Sequence, residues 1–180
     1  MRAFRTGHYF LALFFTGFLT GILVVNYIWG EQLSLIGTFT EVYLMRLKNE
    51  TISFQQYIWY LIQVRGIFCL ILFLMMGIRI RKIAAAFFLL WTGMSGGILL
   101  SEAVAELGMK GSILCVAGLF PQFLFYVPAV LALLRFWWNY PQNQWNRQKT
   151  FFVCSLFFIG IFSESCLNPW LIQQIVNILF

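Results

Sequence analysis

Five stretches of the chain are long and apolar enough to be read as membrane spans: 9–29, 54–77, 83–103, 111–134 and the shorter 150–167. A helix needs about 20 mostly apolar residues to cross the hydrocarbon core of a bilayer, and a single water-soluble domain has no interior large enough to hide five such runs. Composition agrees. The 180 residues are 61% hydrophobic and only 10% charged, against about 45–50% and about 25% in soluble domains. A soluble enzyme is excluded on these grounds. The chain contains no Asp, which removes paired aspartates, an Asp-containing triad and aspartate-rich metal loops. Cys69, Cys115, Cys154 and Cys166 are too widely spaced for a CxxC redox or zinc pattern and read as small apolar residues. The expected fold class is therefore all-α: a single integral membrane helical domain over 1–180, with no cofactor and no metal.

The first run follows a short head with Arg2 and Arg5. It is too long for a signal-peptide core, and the residues after it, Asn26-Tyr27-Ile28-Trp29-Gly30-Glu31, are bulky where a signal peptidase needs small ones. An uncleaved anchor is expected. Between the first two spans, over 30–53, Leu33, Ile36, Phe39, Tyr43 and Leu47 recur at three- or four-residue steps among polar neighbours. That is helical amphipathicity, and such a segment lies on the bilayer surface or against other helices. Ser53 and Gln56 match a capping box for the second span. Near the C-terminus, Asn168-Pro169 reads as the N-cap and first residue of a separate short helix over 169–180, which should lie in the interface.

Charge placement gives an orientation. Five spans put the head and the turns at 79–82 and 135–149 on one side, with eight Lys or Arg and no Glu; all six Glu lie on the other side or at its membrane boundary. The positive-inside rule places the N-terminus in the cytoplasm and the C-terminus outside. The net charge of +6 is then a topology signal, and nucleic acid is not an expected partner. Membrane lipid is.

Several residues stand out within the spans. Gly17 and Gly21 on the first and Gly93 and Gly97 on the third form GxxxG patterns, which let helix backbones approach closely where lipid removes the hydrophobic drive. They serve packing within the chain or a homo-oligomer face. Arg65 is a lone charge inside the second span, where it costs at least about 2.5–3.5 kcal/mol unless it is paired or reaches water; Glu102, Glu106 and Glu164 are the available partners. In the fourth span Pro121 and Pro128 are seven residues apart. Each proline removes a backbone donor and crowds the carbonyl four residues earlier, so a kink is expected there, and Gln122 can serve one freed backbone group. A broken helix at that depth is also a binding site in some transporters. His8 stands alone at the membrane edge, which assembles neither a metal site nor a nucleophile–base pair. Asn49-Glu50-Thr51 matches a glycosylation sequon by pattern only.

The Pro-Gln pair with a Pro-Ala seven residues on, the preceding Gly108-Met109-Lys110-Gly111 and Gly93-x-x-x-Gly97, the Gly17/Gly21 span leading into Val25-Asn26, and Glu164 followed by Asn168-Pro169 together resemble the stage II sporulation protein M family of bacterial multi-span membrane proteins. Two positions depart from that pattern. Gln122 stands where the family often has His, and Tyr126 where it often has Glu, so a transport or proton-relay role is weakened. The resemblance implies a scaffold in the engulfment step of endospore formation, holding the peptidoglycan-degrading stage II sporulation proteins D and P. On this topology the 30–53 segment, with Leu33, Ile36 and Phe39, the outer 102–110 turn and the C-terminal helix form the docking surface. The competing expectation is a small-solute transporter or permease subunit using Arg65, Gln122 and the Pro121–Pro128 break. An intramembrane hydrolase lacks paired acids or a nucleophile–base pair at membrane depth.

Overall fold

The computed structural model describes residues 2–29, 54–77, 80–140, 142 and 144–179. The amphipathic 30–53 segment, with Leu33, Ile36 and Phe39, and the sequon at Asn49 lie outside them. Among the described residues the chain is all-α. Helix α1 (Arg2–Val24) continues into a π-helical turn, Val25–Trp29. Helix α2 (Phe54–Leu74) closes in a 3-10 turn, Met75–Gly77, and α3 spans Arg81–Leu107. The shorter α4 (Met109–Leu119) and α5 (Phe123–Asn139) precede a long α6 (Arg147–Leu179). Four segments, Gly7–Tyr27, Gln55–Leu74, Arg81–Leu107 and Arg147–Ile178, are long and apolar enough to cross a membrane, and α4 with α5 makes a fifth if the bent pair is one span. This architecture fits a multi-pass membrane protein.

The fourth span, 111–134, carries the expected kink: it breaks between Leu119 and Phe123, and α4 and α5 meet at a bend of 64°. Pro121 cannot donate to the carbonyl of Ala117 and disfavours helical geometry at Phe120. The side-chain Nε2 of Gln122 donates to the carbonyl of Gly118, the acceptor that Gln122's own amide would reach in an unbroken helix. Two expectations need correction. Pro128 is not part of the break and is accommodated inside α5. The second correction concerns the C-terminus, where no helix begins at Asn168-Pro169. Helix α6 runs through both residues for 33 residues, a length of about 50 Å. Asn168 is buried and lies beside Tyr57, so the residue that local sequence would use as a cap is taken up in a tertiary contact.

The chain divides into two compact units. The first holds α1 with the 86–116 part of α3 and α4 and the end of α6. Here the glycines mesh: a Cβ at Gly17 or Gly21 would overlap the carbonyl oxygen of Leu90 or Met94, and one at Gly93 or Gly97 that of Phe14 or Phe18. Contacts advance in the same direction along both helices, so α1 and α3 run parallel. Thr16, Thr20 and Thr92 turn their hydroxyls onto carbonyls of their own helices, which keeps polar atoms satisfied beside the seam. Gly108, at φ 59°, ends α3 in a left-handed conformation that suits glycine. The second unit contains α2, the first turn of α3, α5 and most of α6. Buried Ala129, Leu133, Leu134 and Trp137 of α5, and Val153 and Phe157 of α6, form much of its core.

The glycine seam yields a direct expectation. Gly93→Ala forces the backbones apart and should lower stability by about 1–3 kcal/mol, the usual cost of overpacking. Gly96→Ala, whose nearest contact would be the Phe18 ring at 3.8 Å, should be tolerated. Unfolding of the two variants in mixed detergent checks this; equal stabilities would show that the seam is not tightly packed.

Candidate functional site

The polar centre of the second unit is built on helix periodicity. On α6, Gly160, Glu164 and Asn168 follow one another at four-residue steps and are all buried; on α2, Tyr57, Leu61 and Arg65 do the same, with Leu61 buried and the other two half-buried. Four-residue spacing puts each set on one helix face. Contacts pair Tyr57 with Asn168 and Arg65 with Glu164, while Phe73 near the end of α2 meets Trp145 just before α6. The helices are therefore antiparallel. Helix α5 is antiparallel to α6 as well, because Tyr126 lies against Gly160 and Phe136 against Trp145.

Arg65 is the lone charge within the second span singled out above, and its partner is Glu164 rather than Glu102 or Glu106. The guanidinium reaches both carboxylate oxygens: Nε donates to Oε2 at 3.1 Å and an Nη to Oε1 at 2.6 Å. Such a fork-to-fork pair is among the stronger hydrogen-bonded ion pairs. The Glu164 side chain is 5% exposed and that of Arg65 38%, so the acid is the member sealed by protein. The Tyr126 hydroxyl adds a third bond, donating to Glu164 Oε2 at 2.8 Å, and the Arg65 guanidinium lies 5.4 Å from the centre of the Tyr126 ring. One carboxylate thus fastens α2, α5 and α6 together.

The tyrosine is held from behind. A Cβ at Gly160 would collide with the Tyr126 ring, and Phe157 packs against it at 5.4 Å between centroids. Gly160 therefore makes room for the ring, and Tyr126, noted in the sequence for what it replaces, has a structural partner of its own. Tyr57, Gly160 and Asn168 were not foreseen as members of the cluster. The signal was the four-residue polar and small spacing inside α6, which the Asn168-Pro169 start signal masked.

Around the clasp, Gln122 Oε1, Ser163 Oγ and Asn168 Oδ1 are buried and have no hydrogen-bond partner among the described residues. Gln122 sits one turn before Tyr126 on the same face of α5, next to the break. Gly17, Gly21, Gly93 and Gly97 belong to the first unit and take no part in this cluster. Among the described residues no three His, Cys, Asp or Glu side chains come together as a metal site, and the four cysteines are free thiols. No protein-family model, curated protein or solved structure matches the chain.

Glu164→Gln leaves the Arg65 cation without its counter-charge and should destabilise the protein by about 3 kcal/mol. The double variant Arg65→Leu/Glu164→Leu, which removes both charges, should recover most of that loss. Thermal unfolding of the purified protein in detergent tests the pair. A double variant as unstable as the single one would mean that the clasp acts through shape, not charge. Tyr126→Phe, which removes one bond to a charged group, should cost about 1.5–3 kcal/mol.

Proposed function

We propose that the protein is a non-enzymatic multi-pass scaffold of a bacterial cell membrane, with its N-terminus in the cytoplasm and its C-terminus outside, that anchors peptidoglycan-degrading proteins during engulfment in endospore formation. The observation that best supports this reading is how the intramembrane charge is used. Arg65 and Glu164 satisfy each other and tie three helices through one carboxylate, an arrangement suited to holding a fixed geometry. Parallel packing of α1 with α3, and antiparallel packing of α6 with α2 and α5, agree with five alternating crossings. The partner class, stage II sporulation proteins D and P, comes from the resemblance carried by Pro121-Gln122, Pro128-Ala129, the paired GxxxG patterns and Glu164 with Pro169.

A second reading has one observation in its favour. The α4–α5 break places Gln122 at a helix interruption with a buried amide oxygen lacking a partner, as a transporter or permease subunit with a midplane solute site would. The two readings separate in a detergent pull-down of tagged protein from sporulating cells. The scaffold should bring down cell-wall hydrolases, and Leu33→Ser/Ile36→Ser/Phe39→Ser on the outer segment should reduce their recovery. Recovery of a nucleotide-binding subunit, or of no partner, together with loss of solute uptake in Gln122→Ala, would overturn the scaffold in favour of the transporter.

A further inference from the structure

Helix α2 has two unlike sides. Leu61 and Leu72 are buried, and with Tyr57 and Arg65 they form the side that packs within the second unit. Roughly opposite, at steps of four, three and four residues, stand Trp59, Gln63, Gly66 and Leu70, the spacing of a helix-packing seam. Trp59 and Leu70 are 64% and 58% exposed, and Gln63 is exposed between them.

Trp59 and Leu70 suit lipid, but Gln63 does not. Within the span Gln55–Leu74 it lies about 12 Å from one end and about 17 Å from the other, too deep for its side chain to reach either headgroup layer. An amide left without a hydrogen bond in hydrocarbon costs about 4–8 kcal/mol. Other polar side chains on the spans meet this demand by turning back on their own helix: the hydroxyls of Thr16, Thr92, Ser95 and Ser155 each donate to a carbonyl three or four residues earlier. Gln63 makes no such bond among the described residues, and it stands on the far side of α2 from the Arg65–Glu164 pair.

Depth and symmetry specify what answers it. Two copies inserted with the same orientation are related by a two-fold axis along the membrane normal, so a residue beside that axis meets its own counterpart at its own depth. An amide carries both donor and acceptor, and two facing glutamines therefore satisfy each other, as Gln side chains do across transmembrane helices. Gly66, one turn on, leaves bare backbone: a Cβ there would have nothing within 4 Å, so a second helix can approach closely. The stripe carries no charge to repel its copy.

We propose that the Trp59–Gln63–Gly66–Leu70 face of α2 is a homodimer interface in which Gln63 pairs with its counterpart in a second copy. The interface goes beyond the scaffold reading and does not depend on it. Förster transfer between donor- and acceptor-tagged full-length copies, co-reconstituted in phosphatidylcholine–phosphatidylglycerol vesicles and followed as lipid per protein increases, provides the test. Gln63→Leu, which removes the amide and keeps an apolar helix, should dissociate at about tenfold less lipid per protein than the unaltered chain. Gln63→Asn, which keeps an amide, should stay within about threefold of it. Gly66→Leu, which fills the close-approach point without touching the amide, should also weaken the dimer and decides the matter if Gln63→Leu does not fold. A dimer that Gln63→Leu and Gly66→Leu leave unchanged would overturn the proposal by placing the contact on another face. A monomer at every dilution would overturn it too, and would assign the amide to a helix of a different protein.

Discussion

In hydrocarbon there is no water to satisfy a charge or a broken backbone bond, so each must find its partner inside the protein. That constraint organises the second unit. Arg65, the one charge on its helix, is met by both oxygens of Glu164, and Glu164 in turn is met by Arg65 and Tyr126. The same rule acts on the backbone at Pro121, where the Gln122 side chain takes over the Gly118 carbonyl. Arg65, Glu164, Tyr126 and Gln122 mark places where helices are joined or interrupted.

The first unit meets the same solvent by a different route. With lipid removing the hydrophobic drive between helices, α1 and α3 associate through close backbone approach, which only glycine permits at the crossing points. Phe14, Phe18, Leu90 and Met94 present carbonyls directly to the facing glycines. The large apolar side chains of α1 then point elsewhere: Leu11, Phe15, Leu19 and Leu23 are all more than half exposed, as expected for a lipid-facing stripe. Dispersion across the small-residue seam replaces the buried large side chains of a soluble core.

Local signals were reliable where a residue's role is fixed by its own backbone and misleading where another helix competes for it. Pro121 breaks its helix as proline chemistry dictates, and Gly108 ends α3. Asn168-Pro169 shows the opposite case: the pair has the form of a helix start, yet Asn168 is buried beside Tyr57 and α6 continues through the proline. Pro128 likewise sits within an intact helix while Pro121 does not, a difference that seven-residue spacing alone does not reveal. Arg65 announced that a partner was needed, but three glutamates were eligible, and choosing Glu164 required knowing that α2 packs against α6 with these two residues at the same depth.

By itself the sequence determined that the chain is helical, that its helices are long and apolar enough for a bilayer, that small residues on the first and third runs pack closely, and that Arg65 must be neutralised. Those properties follow from transfer energy and helical period, which act residue by residue along the chain. Tertiary structure alone decided which acid answers Arg65, that Tyr126 and Gly160 form one fitted pair, and that Asn168 belongs to a cluster instead of a cap. Each of these depends on two residues distant in the chain arriving at the same depth on facing helices, and no local rule specifies that register.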